Sequence, residues 1–234
     1  MLKSGRDFGP LDFQRATDVS HETMARLACY IDLLKRWNQH INLVSPQSIT
    51  SLWWRHMLDS AQLFPLASPE ARHWLDVGSG GGFPAMVLAI MAMERIHEAT
   101  ILPFSFALVE SDNRKAAFLR EVTRQTGAPA KIYADRVENL ESIDIFEEGV
   151  DVVTARACAP LPRLLEWVLP FFGENTVGVF PVGQYIVDIK NQSTIYSTNK
   201  VQFTIEHLTS RTDPSSTILK IRRILTPLRR NLKV

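Results

Sequence analysis

Residues 73–90 read HWLDVGSGGGFPAMVLAI, an apolar run, a glycine-rich turn and a second apolar run opened by a proline. No other feature limits the possible folds so strongly. Trp74, Leu75 and Val77 predict a short buried strand, Gly78 to Gly82 a tight turn, and Pro84 the first residue of a helix. Strand, glycine turn and helix in that order form a nucleotide-type cradle, because glycine lets the backbone turn sharply and lets a ligand approach unobstructed. A bare G-x-G turn is weak evidence alone. Counted from Gly78, the dinucleotide pattern G-x-G-x-x-G meets Phe83 where it needs glycine; counted from Gly80, it ends on Ala85. The next acid at a strand end, Glu110, comes 32 residues after Gly78 (110 − 78), against about 20 in a dinucleotide fold. A pyrophosphate cradle is therefore the second choice.

After residue 74 the pattern alternates: WLDVG, PAMVLAIMAM, SFALVE (105–110), NRKAAFLREVTRQTG, AKIYAD (130–135), DVVTARA (151–157), a helix from Leu161 to Leu169, and TVGVFPV (176–182). Such alternation predicts a parallel, doubly wound sheet. VQFTIEHL (201–208) and STILKIRRI (216–224) then follow with only a short turn between them, so they pair as an antiparallel hairpin. A mostly parallel, seven-stranded sheet ending in such a hairpin resembles a class I S-adenosylmethionine-dependent methyltransferase, an α/β Rossmann-like fold. Upstream, residues 1–19 lack periodicity and read as a loose arm. Residues 20–68 read as a helical extension: Met24, Leu27, Ile31 and Leu34 share one face behind Ser20, and a second helix runs from Pro46 through SLWWRHMLDSAQLF to Pro65. Residues 69–234 make the catalytic domain.

Composition excludes several classes. Two cysteines, Cys29 and Cys158, support neither a disulfide framework nor a zinc site, and no metal is expected. The most apolar window, 85–93, is too short to span a bilayer, so a cytoplasmic protein without membrane contact is expected, acting as a monomer. With 26 basic against 25 acidic residues, any case for nucleic acid rests on local charge. KIRRILTPLRRNLKV (220–234) has basic residues and no acid, and Arg114, Lys115, Arg120 and Arg124 line one helix. Each is a phosphate-binding stripe or a solvated face. Trp37, Trp53, Trp54 and Arg55 are stacking surfaces for RNA, or Trp37 and one of Trp53 and Trp54 are core between the N-terminal helices and the sheet.

Glu110 closes an apolar run and emerges beside the glycine turn, where a carboxylate can accept both hydroxyls of a ribose; alternatively Glu110 or Asp112 caps the next helix. Asp76 orders the glycine turn or meets a ligand. His56 and Asp59, at helical spacing, read as packing and capping residues ahead of a catalytic pair.

WLDVGSGGGFP, LVESDNRKAAFLREV, DRVENL and DVVTARACAPL, with RHMLDS upstream and HLTSRTDPSSTILKI near the end, resemble the bacterial RsmG family, also called glucose-inhibited division protein B. The resemblance implies methyl transfer from S-adenosylmethionine to N7 of guanine 527 in 16S rRNA, presented as RNA or as the small ribosomal subunit. It implies that Gly78 and Phe83 line the cofactor site, that Val137 and Glu138 hold the adenine end, and that Arg156 sits where cofactor and base meet. Gly80 and Glu110 join the cofactor site because the turn and the end of the second strand open onto the same carboxyl edge. Arg156 then positions rather than abstracts a proton, because N7 has a free lone pair and needs no general base. One departure stands out: the family's lysine before glycine after the fifth strand is here Val182 before Gly183, with Lys190 a possible substitute. Two other readings share the fold: a small-molecule methyltransferase, which needs an enclosed apolar pocket and no basic terminus, and a non-catalytic RNA- or ribosome-binding protein.

Overall fold

The computed structural model describes residues 5–94, 103–141, 145–183, 201–224 and the backbone of 193–197. Among them, the strands are β1 (His73–Val77), β2 (Ser105–Val109), β3 (Ala130–Tyr133), β4 (Val152–Ala155), β5 (Val177–Val182), β6 (Ser193–Ser197), β7 (Gln202–Thr209) and β8 (Thr217–Ile224). They form one sheet in the order β3-β2-β1-β4-β5-β8-β7-β6. β1 to β5 pair in parallel, and β8 pairs antiparallel with β5 and β7. This is the class I methyltransferase architecture expected, with one correction to the count: eight strands instead of seven. The extra strand is β6, which extends the hairpin edge by pairing antiparallel with β7. Its polar sequence, STIYS, carries no sustained alternation to announce it.

The chain runs from β1 outward to β3, then returns to β4 on the other side of β1, so the order reverses between β1 and β4. Crevices at such reversals lie outside the carboxyl ends of the strands and take ligands. Period-two alternation along β1 and β2 sorts side chains to two faces. Trp74, Phe106 and Leu108 join the core under the helices α2 (His21–Trp37), α5 (Ala85–Ala92) and α6 (Asn113–Thr126). Leu75, Val77, Ala107 and Val109 join the opposite core with α7 (Leu161–Val168). α5 has no polar face because it is buried nearly all round. α2 starts where Ser20 Oγ accepts from Thr23 N at 3.1 Å, and α6 where Asp112 accepts from Arg114 N at 2.8 Å.

The N-terminal region departs from expectation. Residues 5–19 do not form a loose arm: α1 (Pro10–Thr17) packs on the body, with Phe8 and Phe13 buried. Phe13 lies 5.3 Å from Trp53 and Phe8 meets Trp54 edge-on at 5.0 Å. Two aromatic anchors thus hold a segment without helical periodicity, and these tryptophans pack against that segment, while Trp37 packs on Phe118 at 5.7 Å. The helix expected over 46–65 is broken into α3 (Pro46–Ile49), a π-helical segment (Trp53–Leu58) and α4 (Asp59–Ala61). Leu27, Tyr30 and Leu34 of α2 share one core with Trp74 and Phe106, so the extension and the sheet fold around common apolar residues.

Candidate cofactor cradle and base site

The glycine turn hangs from β2. Gly78 N and Ser79 N both donate to Val109 O, at 2.9 and 3.1 Å. Gly78 has φ +70° and Gly80 φ +55°, the region that glycine alone adopts without cost. Space is equally restrictive at Gly78, where an added Cβ would stand 2.7 Å from Cys158 Cβ. Glu110, buried at the end of β2, closes the cradle: its Oε2 accepts from Gly80 N at 2.7 Å and its Oε1 from Asp112 N at 2.8 Å. Capping of α6 falls to Asp112, which leaves further lone pairs on Glu110 for a ligand. Tyr30, wholly buried, donates its hydroxyl to Gly81 O and ties α2 to the turn.

Asp76 does not order the turn in the way expected: among the described residues, no turn N–H donates to its carboxylate. Its Oδ1 instead accepts from Thr154 Oγ1 at 2.6 Å, and its Oδ2 is buried without a partner. β1 lies between β2 and β4, and the register sets Asp76 beside Thr154, while Ser79 Oγ in the turn donates to Asp76 O at 3.3 Å. Burial raises its pKa to about 6, opposed by the hydroxyl hydrogen bonds and the Arg156 charge. Burial likewise pushes the Cys158 thiol up to about 11, which removes it as a nucleophile.

Arg156 follows β4. One guanidinium nitrogen lies 2.7 Å from His56 Nδ1, and the other lies 3.3 Å from Asp59 Oδ2 and 3.4 Å from Arg55 O. The guanidinium sits 5.2 Å above the Phe83 ring, which also lies 4.7 Å from His56. A guanidinium only donates, so His56 Nδ1 must accept and the imidazole proton resides on Nε2. Burial, with Arg156 and Arg55 adding repulsion, lowers the His56 pKa to about 3. Asp59 Oδ1 accepts from Thr212 Oγ1 at 2.5 Å and Gln62 Nε2 at 2.9 Å, and Arg211 N donates to Gln62 Oε1 at 2.7 Å. The cluster therefore joins three distant segments: the π-helical stretch, the end of β4 and the β7–β8 turn.

A cavity of about 790 Å³ opens beside this cluster, lined by His56, Asp59, Arg156, Leu161, Val182 and Ser216 among others. That size accommodates a nucleotide. No group of three potential metal ligands occurs among the described residues.

A family model described as rRNA small subunit methyltransferase G, GidB, matches residues 23–212. The chain belongs to this family. It is 45% identical over 218 residues to the ribosomal RNA small subunit methyltransferase G of Parvibaculum lavamentivorans, covering 92% of this chain and 89% of that protein. The corresponding methyltransferase G of Paramagnetospirillum magneticum is 42% identical over 216 residues, covering 92% and 96%. A methyltransferase structure from Geobacter sulfurreducens aligns with TM-score 0.49 at 10% identity, over 85% of this chain and 88% of that one.

Seen as a GidB fold, the expected site residues divide into two groups. Gly80 and Glu110 meet directly on the turn that Gly78 opens, and Phe83 and Arg156 meet one another. Val137 is buried in the core with Val109, while Glu138 is exposed on the same short 3-10 turn (Val137–Asn139). Only Arg156 of the expected site residues also lines the cavity. His56 and Asp59, expected to serve their own helix, belong to the Arg156 cluster instead. Tyr30 and Gln62 carry no mark in the sequence that points to the site; Thr154 and Thr212 lie in motifs of the resemblance, which assigns them no role. RHMLDS, with His56 and Asp59 at helical spacing, and HLTSRTDPSSTILKI, which holds residues 210–212, carry the family resemblance, but neither stretch says that its side chains meet Arg156. Val182 stands in the cavity wall; Lys190 and residues 225–234 of the basic terminus lie outside the described residues.

Proposed function

We propose that this GidB-family chain transfers a methyl group from S-adenosylmethionine to N7 of a guanine in 16S rRNA, at position 527 by family resemblance. The observation that carries this reading is the placement of Arg156, held by His56 and Asp59 above Phe83 in the wall of the 790 Å³ cavity. The cradle at the same sheet edge fits the cofactor: Gly78 and Gly80 turn the backbone sharply at positive φ, and Glu110 is a buried carboxylate with acceptor capacity to spare. Gly78 and Gly80 would admit the cofactor, Glu110 would hold the ribose, and Val137 and Glu138 the adenine end. S-adenosylmethionine supplies a sulfonium-bound methyl group open to in-line displacement.

The protein's part is placement. N7 attacks with its own lone pair, so no side chain needs to remove a proton. His56 could not do so in any case, since a ring with a pKa near 3 holds a proton too weakly at neutral pH. It serves as an uncharged acceptor that fixes the Arg156 guanidinium. Arg156 remains charged and can donate to guanine O6, leaving N7 open and countering electron density as the ring becomes positive. Proximity and orientation supply most of the rate. A monomeric enzyme that works on rRNA in the cytoplasm completes the proposal. The test is incubation with labelled S-adenosylmethionine and small ribosomal subunits from a strain lacking the modification. Label on guanine N7 is expected; its absence would overturn the reading.

A further inference from the structure

A second cavity, of about 560 Å³, adjoins the first and shares Gln47, Arg55, Asp59 and Ser216 with it. Both volumes lie within the range of ligand-sized sites. The four shared wall residues set the two cavities side by side, a track of the kind that a polymer needs and a single small substrate does not.

The charges along this track are unequally committed. Asp59 is engaged by Thr212, Gln62 and Arg156. Asp213 fastens the β7–β8 turn by accepting from Ser215 N at 2.9 Å, Ser215 Oγ at 2.6 Å and Ser216 Oγ at 3.0 Å. Both acids are thereby spent on structure. Arg6 and Arg55 are exposed. Neither guanidinium donates a hydrogen bond or forms an ion pair among the described residues, although Arg55 acts on Asp213 through space. Two uncommitted guanidiniums in the walls of one polar track are suited to successive anionic oxygens. Trp54 completes the second cavity. Its Nε1 donates to Thr212 O at 2.9 Å and its ring abuts Phe8, so a rigid indole borders the space. Aromatic rings beside guanidiniums are how proteins hold unpaired bases.

We propose that the second cavity is a subsite for the nucleotide next to the target guanosine in single-stranded RNA. Arg55 takes the phosphate between the two nucleotides, and Arg6 takes a phosphate farther along. This subsite rests on the rRNA reading above, and it places the neighbouring nucleotide against the N-terminal segment, through Arg6 and the Phe8–Trp54 contact.

The test compares the wild-type chain with Arg55→Gln, Arg6→Gln and the double variant. Substrates are unmodified small subunits and a free 16S rRNA fragment containing the target guanine. KM for both substrates is expected to rise about tenfold in Arg55→Gln and less in Arg6→Gln. The logarithmic salt dependence should flatten by about 0.7 for each phosphate that is no longer neutralised. Affinity for S-adenosylmethionine, measured by calorimetry, should not change. A double variant with wild-type KM and salt slope overturns the subsite. So does a defect seen on subunits and absent on free RNA, since that assigns the arginines to a ribosomal protein. If the wild-type chain transfers no methyl group, the methyltransferase reading falls separately, and filter binding of the rRNA fragment to the same variants still decides the subsite.

Discussion

The turn over Gly78–Gly82 is backbone from one contiguous stretch, closed by a single carboxylate 30 residues away from Gly80. The cluster around Arg156 is side chains, gathered from residue 56, from residue 59 and, through Thr212, from a turn 153 positions beyond Asp59. The turn works by backbone conformation: Gly78, Gly80 and Gly82 hold positive φ, and at Gly78 and Gly82 a Cβ would stand 2.7 Å from a neighbouring side chain. The cluster works by filling space with donors and acceptors, each of which fails by degrees. Two regions at one sheet edge should therefore respond to substitution in opposite ways, abruptly at the turn and gradually at the cluster.

The sharpest way to break this contrast is at Gly78. Gly78→Leu combines a left-handed φ with a Cβ 2.7 Å from Cys158 Cβ. We expect cofactor binding to vanish from calorimetry while α2 and the sheet keep their circular dichroism, with roughly 1–3 kcal/mol of stability lost to the backbone conformation. Affinity equal to wild type would show that the cradle is not the cofactor site.

At the cluster, Arg156→Ala should slow single-turnover methyl transfer about 100-fold or more with the fold retained, as loss of a well-placed donor does. His56→Ala should cost less, because it removes only the acceptor that orients Arg156. Neither variant should create or abolish an ascending pH limb between about pH 6 and 8, the range where a histidine base would titrate. A steep rise with pH in the wild type that disappears in His56→Ala would make His56 a base and dissolve the distinction between positioning and proton transfer.

Buried groups on the two sides also oppose each other in pH dependence. Asp76 titrates near 6 in the folded chain against an ordinary 3.8, so its contribution to stability is present below 3.8 and lost as pH rises through 6. His56 titrates near 3 against 6.5, so the unfolded chain takes up its proton first and stability falls as pH drops from 6.5 toward 3. Asp76→Asn removes the first slope alone. Its melting temperature, relative to wild type, should rise between pH 4 and 7; a difference that stays constant with pH would mean that Asp76 does not titrate there.

The smallest effect is expected at Val182→Lys, which adds a cation to the cavity wall. KM for small subunits should fall a few-fold and more at low salt, because an exposed charge is weakly coupled and readily screened. An unchanged KM would mean that RNA phosphates do not approach that wall.

From sequence alone the parallel sheet, its antiparallel close, the glycine turn and the emergence of Glu110 beside it are all legible, because each follows from local periodicity or from what glycine alone permits. Asp112 as the cap of α6 is among the alternatives for the same reason. The N-terminal segment is not legible: Phe8 and Phe13 mark no period, and their burial depends on Trp53 and Trp54, some 40 residues on. Nor is the alliance of His56, Asp59 and Arg156, since a hydrogen bond across 97 or 100 residues leaves no spacing to read. Local chemistry determines where backbone can bend and which face is apolar; which polar side chains meet is decided only when the N-terminal helices close over the carboxyl edge of the sheet.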